Sequence, residues 1–148
     1  IQKAVELGVN AITPLFSKRG VVSLKGERLE KRQQHWRQVM LSACEQSGRC
    51  RVPQLHLAIE LDQLLSAPVS GLGLVLNHRA QSRIGDLAPE GRQITILIGP
   101  EGGLSEGEIQ AARNSGFHGI RLGPRVMRTE TAPLAAIAAM QALWGDFK

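Results

Sequence analysis

Hydrophobic positions recur along this chain at two periods, and their alternation predicts where helices and strands fall. Ile1, Ala4, Val5 and Leu7 stand at helical spacing, with Gly8 placed as a stop. Val9 to Phe16 reads as a short apolar strand whose end is marked by Pro14. The longest helical pattern runs from Leu29 to Ser47, with Leu29, Trp36, Val39, Met40 and Ala43 on one side and Glu30, Lys31, Arg32 and Arg37 on another, closed by Gly48. After Pro53 come a short strand near Leu55 to Leu57 and a short helix from Leu61 to Leu65. Gly71 to Leu76 and Ile94 to Ile98 are apolar on both faces rather than alternating, the pattern of parallel strands covered on two sides. Ser105-Glu106-Gly107-Glu108 has the form of a capping box and opens a helix to Asn114 or Ser115. A strand near Gly119 to Leu122 and an Ala-rich helix from Pro133 to Trp144 complete the series. Buried strands alternating with helices predict an α/β fold: a mostly parallel sheet with helices on both faces.

Two of those strands run into turns that carry more chemistry than a chain reversal needs. Ile98 leads into Gly99-Pro100-Glu101-Gly102-Gly103, and Leu122 leads into a loop holding Gly123, Arg125, Met127, Arg128, Thr129 and Glu130. Glycine permits a tight turn or a close approach of the backbone to a ligand, and a loop on a rigid scaffold is where binding groups collect. The first turn lacks both the G-x-G-x-x-G dinucleotide pattern and the Gly-Lys-Ser/Thr of a P-loop. The two together read as two walls of one pocket.

Composition narrows the partners. The 148 residues suit one domain, and 43% hydrophobic content suffices for one core. Aromatic residues make up only 3%, with no Tyr, which argues against base stacking on an aromatic platform. Lys and Arg number 18 against 13 acids, a formal net charge of +5, which favours a polyanionic partner. The turn Ser17-Lys18-Arg19-Gly20 and the cluster Arg49, Cys50 and Arg51 stay open between solvated surface and phosphate contact. Cys44 and Cys50 fit no zinc spacing, so no metal is expected, and reduced thiols of a cytoplasmic protein are the default. No apolar run approaches the roughly 20 residues needed to span a bilayer. The chain opens on Ile1, inside a helical pattern, and is expected to be a piece of a longer one.

Three stretches carry a resemblance. IGPEGGLSEGEI at Ile98 to Ile109, LGPRVMRTETA at Leu122 to Ala132 and EQSGR at Glu45 to Arg49, with KAVELGVNAITPLFSKR at Lys3 to Arg19, resemble the bacterial methyltransferases of the SPOUT class that modify N3 of one uridine in 16S rRNA. The resemblance covers essentially the whole chain and its motifs fall in the family's order. It implies a C-terminal trefoil knot, S-adenosylmethionine as cofactor, a homodimer, and 16S rRNA of the small ribosomal subunit as partner. It also implies that the family's N-terminal PUA-like RNA-binding domain lies outside residues 1–148. Gly99, Glu101 and Gly103 match its first cofactor loop, Leu122, Gly123 and Met127 match its knot loop, and Leu76 ends the strand that meets the cofactor from the other side.

Uracil N3 carries a proton, so methylation needs that proton removed and the resulting charge held. Arg128 is the candidate for holding the uracil carbonyl oxygens, Glu130 for accepting the proton, and Arg49 for fixing a phosphate or the flipped base, from its own or another subunit. An ion pair between Arg128 and Glu130 that merely shapes the loop is the alternative reading. Two rival functions stay open: another SPOUT methyltransferase acting elsewhere on tRNA or rRNA, and a non-catalytic RNA- or nucleotide-binding module. The Pro133 to Trp144 helix suits a dimer face or ordinary core equally.

Overall fold

A computed structural model describes residues 1–20, 24–89, 91 and 93–147. In chain order the elements are α1 (Gln2–Glu6), β1 (Ala11–Ile12), β2 (Leu15–Phe16), α2 (Glu27–Ser47), β3 (Gln54–Leu55), β4 (Ile59–Glu60), α3 (Leu61–Leu64), β5 (Leu72–Leu76), a 3-10 turn (Ile84–Asp86), β6 (Ile94–Leu97), α4 (Glu106–Asn114), β7 (Phe117–Ile120) and α5 (Ala132–Trp144). Every strand pairing is parallel: β1 with β3, β2 with β4, and a central sheet in the order β6-β5-β7.

The centre is β5, and its sequence explains why. Leu72 and Leu74 pack against Ile120 of β7 and Ala136 and Met140 of α5. Val75 points the other way, into Leu61 of α3, Leu65 just past its end, Leu97, Ala112 of α4 and Phe117. A strand with period-two side chains that is apolar at every position can satisfy both faces only between two helical layers. The expectation of a mostly parallel sheet with helices on both faces therefore describes this region. A further core cluster joins α1 to α2 through Val5, Met40, Ala43 and Cys44.

Several boundaries differ from the sequence reading. Val9 to Phe16 is not one strand; Pro14 separates β1 from β2, and its carbonyl accepts from the Ile59 N–H at 3.1 Å. The short β4 had no period of its own to announce it. The strand placed near Gly119 to Leu122 is instead Phe117–Ile120, because buried Phe117 pairs with Gly73 in β5. Arg121 then leaves the central sheet and its N–H donates to the Ser82 carbonyl at 3.0 Å. The capping box of α4 forms as written: Ser105 and Glu108 exchange hydrogen bonds.

Candidate functional site

Three parallel strands ending side by side leave their carboxyl ends at one edge, where α/β folds bind ligands. Here Val75 pairs with Leu97 and Leu76 with Ile120, so the loops after β5, β6 and β7 emerge together. Between them lies a cavity of about 290 Å³. Leu76 lines it from β5; Gly99, Glu101 and Gly103 from the loop after β6; Leu122, Gly123 and Met127 from the loop after β7. All seven residues named from the sequence as cofactor-binding thus share one cavity.

The first wall is braced. An added Cβ on Gly99 would lie 2.9 Å from the Leu104 nitrogen, so the turn closes on itself there. Gly103 donates its N–H to the Pro100 carbonyl at 2.8 Å and takes a φ of +67°, a conformation that glycine adopts without strain. From outside, Arg19 Nη1 donates to the Gly102 carbonyl at 3.0 Å. The turn then enters α4, where the Glu108 carboxylate accepts from the Ser105 N–H at 2.7 Å, the Ser105 hydroxyl at 2.8 Å and the Lys18 N–H at 2.9 Å. Glu108 is only 2% exposed. Burial pushes its carboxyl up, but those donors and the Lys18 charge outweigh burial, and the group is held below the ordinary glutamate range. The basic turn Ser17 to Gly20, left open by the sequence, is a strut for this wall.

The second wall is unbraced. Among the described residues, the main chain from Leu122 to Met127 makes no hydrogen bond, leaving its N–H and C=O groups for a ligand. Gly123 has a φ of +69° with nothing within 4 Å of an added Cβ. Order resumes at Arg128, whose carbonyl accepts from the N–H of Thr131 and of Ala132, both at 2.9 Å, as α5 begins.

The residues named for chemistry sit differently. Arg128 and Glu130 face each other at 3.9 Å with side chains 87% and 68% exposed, outside the cavity lining. Arg49 is further removed: its Nη1 donates to the Val5 and Val9 carbonyls at 2.7 and 2.9 Å, tying the end of α2 to the end of α1. Sequence reasoning passed over Arg121, Arg125 and Thr129, which do line the cavity. Arg125 stood in the motif already singled out; nothing local distinguished it from Arg128. Neither Ser nor Cys lines this cavity, and no metal-binding cluster exists among the described residues. The arrangement suits holding and orienting more than covalent catalysis.

A family model described as "RNA methyltransferase domain" matches residues 1–141. The chain belongs to the RNA methyltransferase domain family. Ribosomal RNA small subunit methyltransferase E of Buchnera aphidicola subsp. Schizaphis graminum is 40% identical over 147 residues, 99% of this chain and 60% of the relative. The protein of that name from Mesomycoplasma hyopneumoniae is 42% identical over 139 residues, covering 90% of this chain and 59% of the relative. A crystal structure of ribosomal RNA small subunit methyltransferase E from Neisseria gonorrhoeae, bound to S-adenosyl methionine, superposes with a TM-score of 0.91 at 45% identity, over 99% of this chain and 60% of that one. This RNA methyltransferase domain thus spans about three fifths of the length of those relatives.

Proposed function

We propose that this chain is the catalytic part of an S-adenosylmethionine-dependent methyltransferase acting on N3 of a uridine in 16S rRNA, a cytoplasmic homodimer with a C-terminal trefoil knot. The observation that carries the proposal is the convergence of two glycine turns and the end of β5 on one cavity. Its residues fit a nucleoside cofactor. Unpaired main-chain groups from Leu122 to Met127 match the edge of a neutral adenine, and Glu101 offers a carboxylate to hydroxyls. The relatives' names and the cofactor of the Neisseria protein support the same reading. The knot is supported by Ile120 and Arg121 being hydrogen-bonded to Asn77 and Ser82, the two ends of one loop after β5.

When bound, the cofactor supplies an electrophilic methyl group on a sulfonium. The chain's own work is on the base. Arg128 holds the uracil carbonyl oxygens and stabilises the charge that develops as N3 loses its proton; Glu130 accepts that proton. Their mutual distance of 3.9 Å and high exposure describe a pair weak enough to be parted by a base. Arg49, its Nη1 committed to the Val5 and Val9 carbonyls, offers its remaining guanidinium N–H groups to a phosphate or the flipped base, from its own or another subunit.

Calorimetry with S-adenosylmethionine and S-adenosylhomocysteine tests the pocket: binding heat is expected, and neither heat nor a thermal shift would leave only a non-catalytic module. Mass spectrometry of 16S rRNA from cells lacking the protein tests the base, with loss of one 3-methyluridine expected. A lesion in tRNA or at another rRNA position would redirect the assignment. In single-turnover reactions at saturating cofactor, Arg128→Ala and Glu130→Gln should each slow methyl transfer at least about tenfold, or ~1.4 kcal/mol. Rates near wild type would make the pair scaffolding.

A further inference from the structure

The long helix α2 carries a basic face that is mostly unpaired. Glu27 and Glu30 suit the dipole of its first turn, but Arg28, Lys31 and Arg32 crowd the same end, and its last turn, where the dipole favours cations, has no basic residue. At about 100° per residue, Arg28, Lys31, Arg32 and His35 fall within a stripe roughly 100° wide. With Leu24 they line a groove of about 520 Å³. Glu30 lies off that stripe, and Arg37 is on the opposite side of the helix. All four stripe residues are exposed. Among the described residues, Arg28, Arg32 and His35 have no hydrogen-bond or ion-pair partner, and Lys31 has only Glu27 at 2.7 Å, a pair with side chains 72% and 77% exposed. Such a pair yields readily to a stronger anion.

Cations that, Lys31 apart, have no acid beside them are open to an anion from outside the chain. We propose that this stripe is a docking track for the sugar-phosphate backbone of the RNA substrate, separate from the cavity at the strand ends. This rests on the RNA reading above. Three cations and a histidine along about 10 Å of helix, the rise of seven residues, match a run of phosphates rather than a single anion. The groove has no Phe, Tyr or Trp on which a base could stack, so the contact is to backbone and carries no sequence preference. An anionic membrane fits less well: it would need apolar side chains beside the cations, and none of the exposed large apolar residues lies on α2. The stripe orients the RNA, while the chemistry stays with the cavity and the Arg128–Glu130 pair.

The test is fluorescence anisotropy of a labelled RNA hairpin titrated with the 148-residue chain, from about 50 to about 200 mM salt. S-adenosylmethionine binding and the unfolding midpoint are measured on the same samples. The double variant R28Q/R32Q should bind RNA about tenfold more weakly, and its log–log salt slope should flatten by roughly 1.5, at about 0.7 to 0.9 for each phosphate no longer neutralised. R28K/R32K should restore most of both, and cofactor binding should not change. R37Q/R113Q removes the same net charge from other surfaces and should lose far less. Equal losses in R28Q/R32Q and R37Q/R113Q, or no loss in R28Q/R32Q, would overturn the track and leave the cavity's assignment standing. A wild-type chain that binds cofactor but no RNA at low salt would overturn both the track and the RNA reading.

Discussion

The two glycine turns that face each other across the cavity are built on opposite principles. The loop from Ile98 to Leu104 is held by its own Gly103 to Pro100 hydrogen bond, by Arg19 on Gly102, and by the Ser105–Glu108 box behind it. The loop from Leu122 to Met127 makes no main-chain hydrogen bond among the described residues, and Val126 is 74% exposed. A rigid wall fixes where a ligand sits; an unbonded wall offers it donors and acceptors not already used. Glycine therefore does different work at different positions: Gly99 relieves a clash, while Gly123, like Gly103, permits a backbone conformation. Substitutions should separate these roles.

The largest effect is expected where the rigid wall is anchored. Glu108→Ala removes the buried acceptor of three hydrogen bonds and leaves the part-buried donors of Ser105 and Lys18 unmatched, at a cost of about 3 kcal/mol in urea unfolding. Glu108→Gln keeps the shape and reports the charge alone. Because the carboxyl is held below its ordinary range, the folded chain favours the ionised form more strongly than the unfolded chain does. That stability is fully present above the ordinary glutamate value of about 4.3 and is lost as pH falls through the lower folded-state value. The gap between wild type and Glu108→Gln should therefore close on acidification. A gap independent of pH would mean that the ionised carboxylate is not what braces this wall.

Next in size is the clash. A methyl group on Gly99 meets the Leu104 nitrogen at 2.9 Å and its Cγ at 3.0 Å, so Gly99→Ala must push the turn open, costing about 2 kcal/mol. The unfolding midpoint and the affinity for S-adenosylmethionine should fall together. An unchanged midpoint would show that the turn is as adaptable as its counterpart.

What could be read without coordinates divides along the same line. Strands β5 and β6, the capping box and both glycine turns were legible because each is written within a few residues: an apolar run, an S-x-x-E, a cluster of glycines; β5 is buried as its pattern predicts, whereas β6, at the sheet edge, is only half-buried. That seven scattered residues share one cavity followed from strand order, since parallel strands of neighbouring register put their loops together. What stayed hidden depends on partners far away in sequence. Arg49 is drawn to the Val5 and Val9 carbonyls at the end of α1, and no feature of the EQSGR stretch points there. Phe117 starts β7 because Gly73 makes room for it across the sheet, where an added Cβ would meet its ring at 3.0 Å. Arg125 and Arg128 are three residues apart in an irregular loop, and periodicity cannot decide which of them lines the cavity.

The smallest effect on stability, and the sharpest contrast with Gly99, should come from Gly123→Ala. Nothing lies within 4 Å of the added Cβ, so the only cost is that of a left-handed conformation at φ +69°, about 1 kcal/mol. In an exposed loop without internal hydrogen bonds, the unfolding midpoint can stay nearly unchanged, because the loop relaxes to a negative φ and breaks no hydrogen bond in doing so. Binding is where the cost must reappear: a ligand that uses main-chain groups on both sides of Gly123 needs the left-handed bend restored. Affinity for S-adenosylmethionine should fall about fivefold, the equivalent of ~1 kcal/mol, while Gly99→Ala lowers midpoint and affinity alike. If Gly123→Ala instead destabilised the chain as much as Gly99→Ala, the second wall would be as rigidly tied as the first, and its free main-chain groups could not be what receives the ligand.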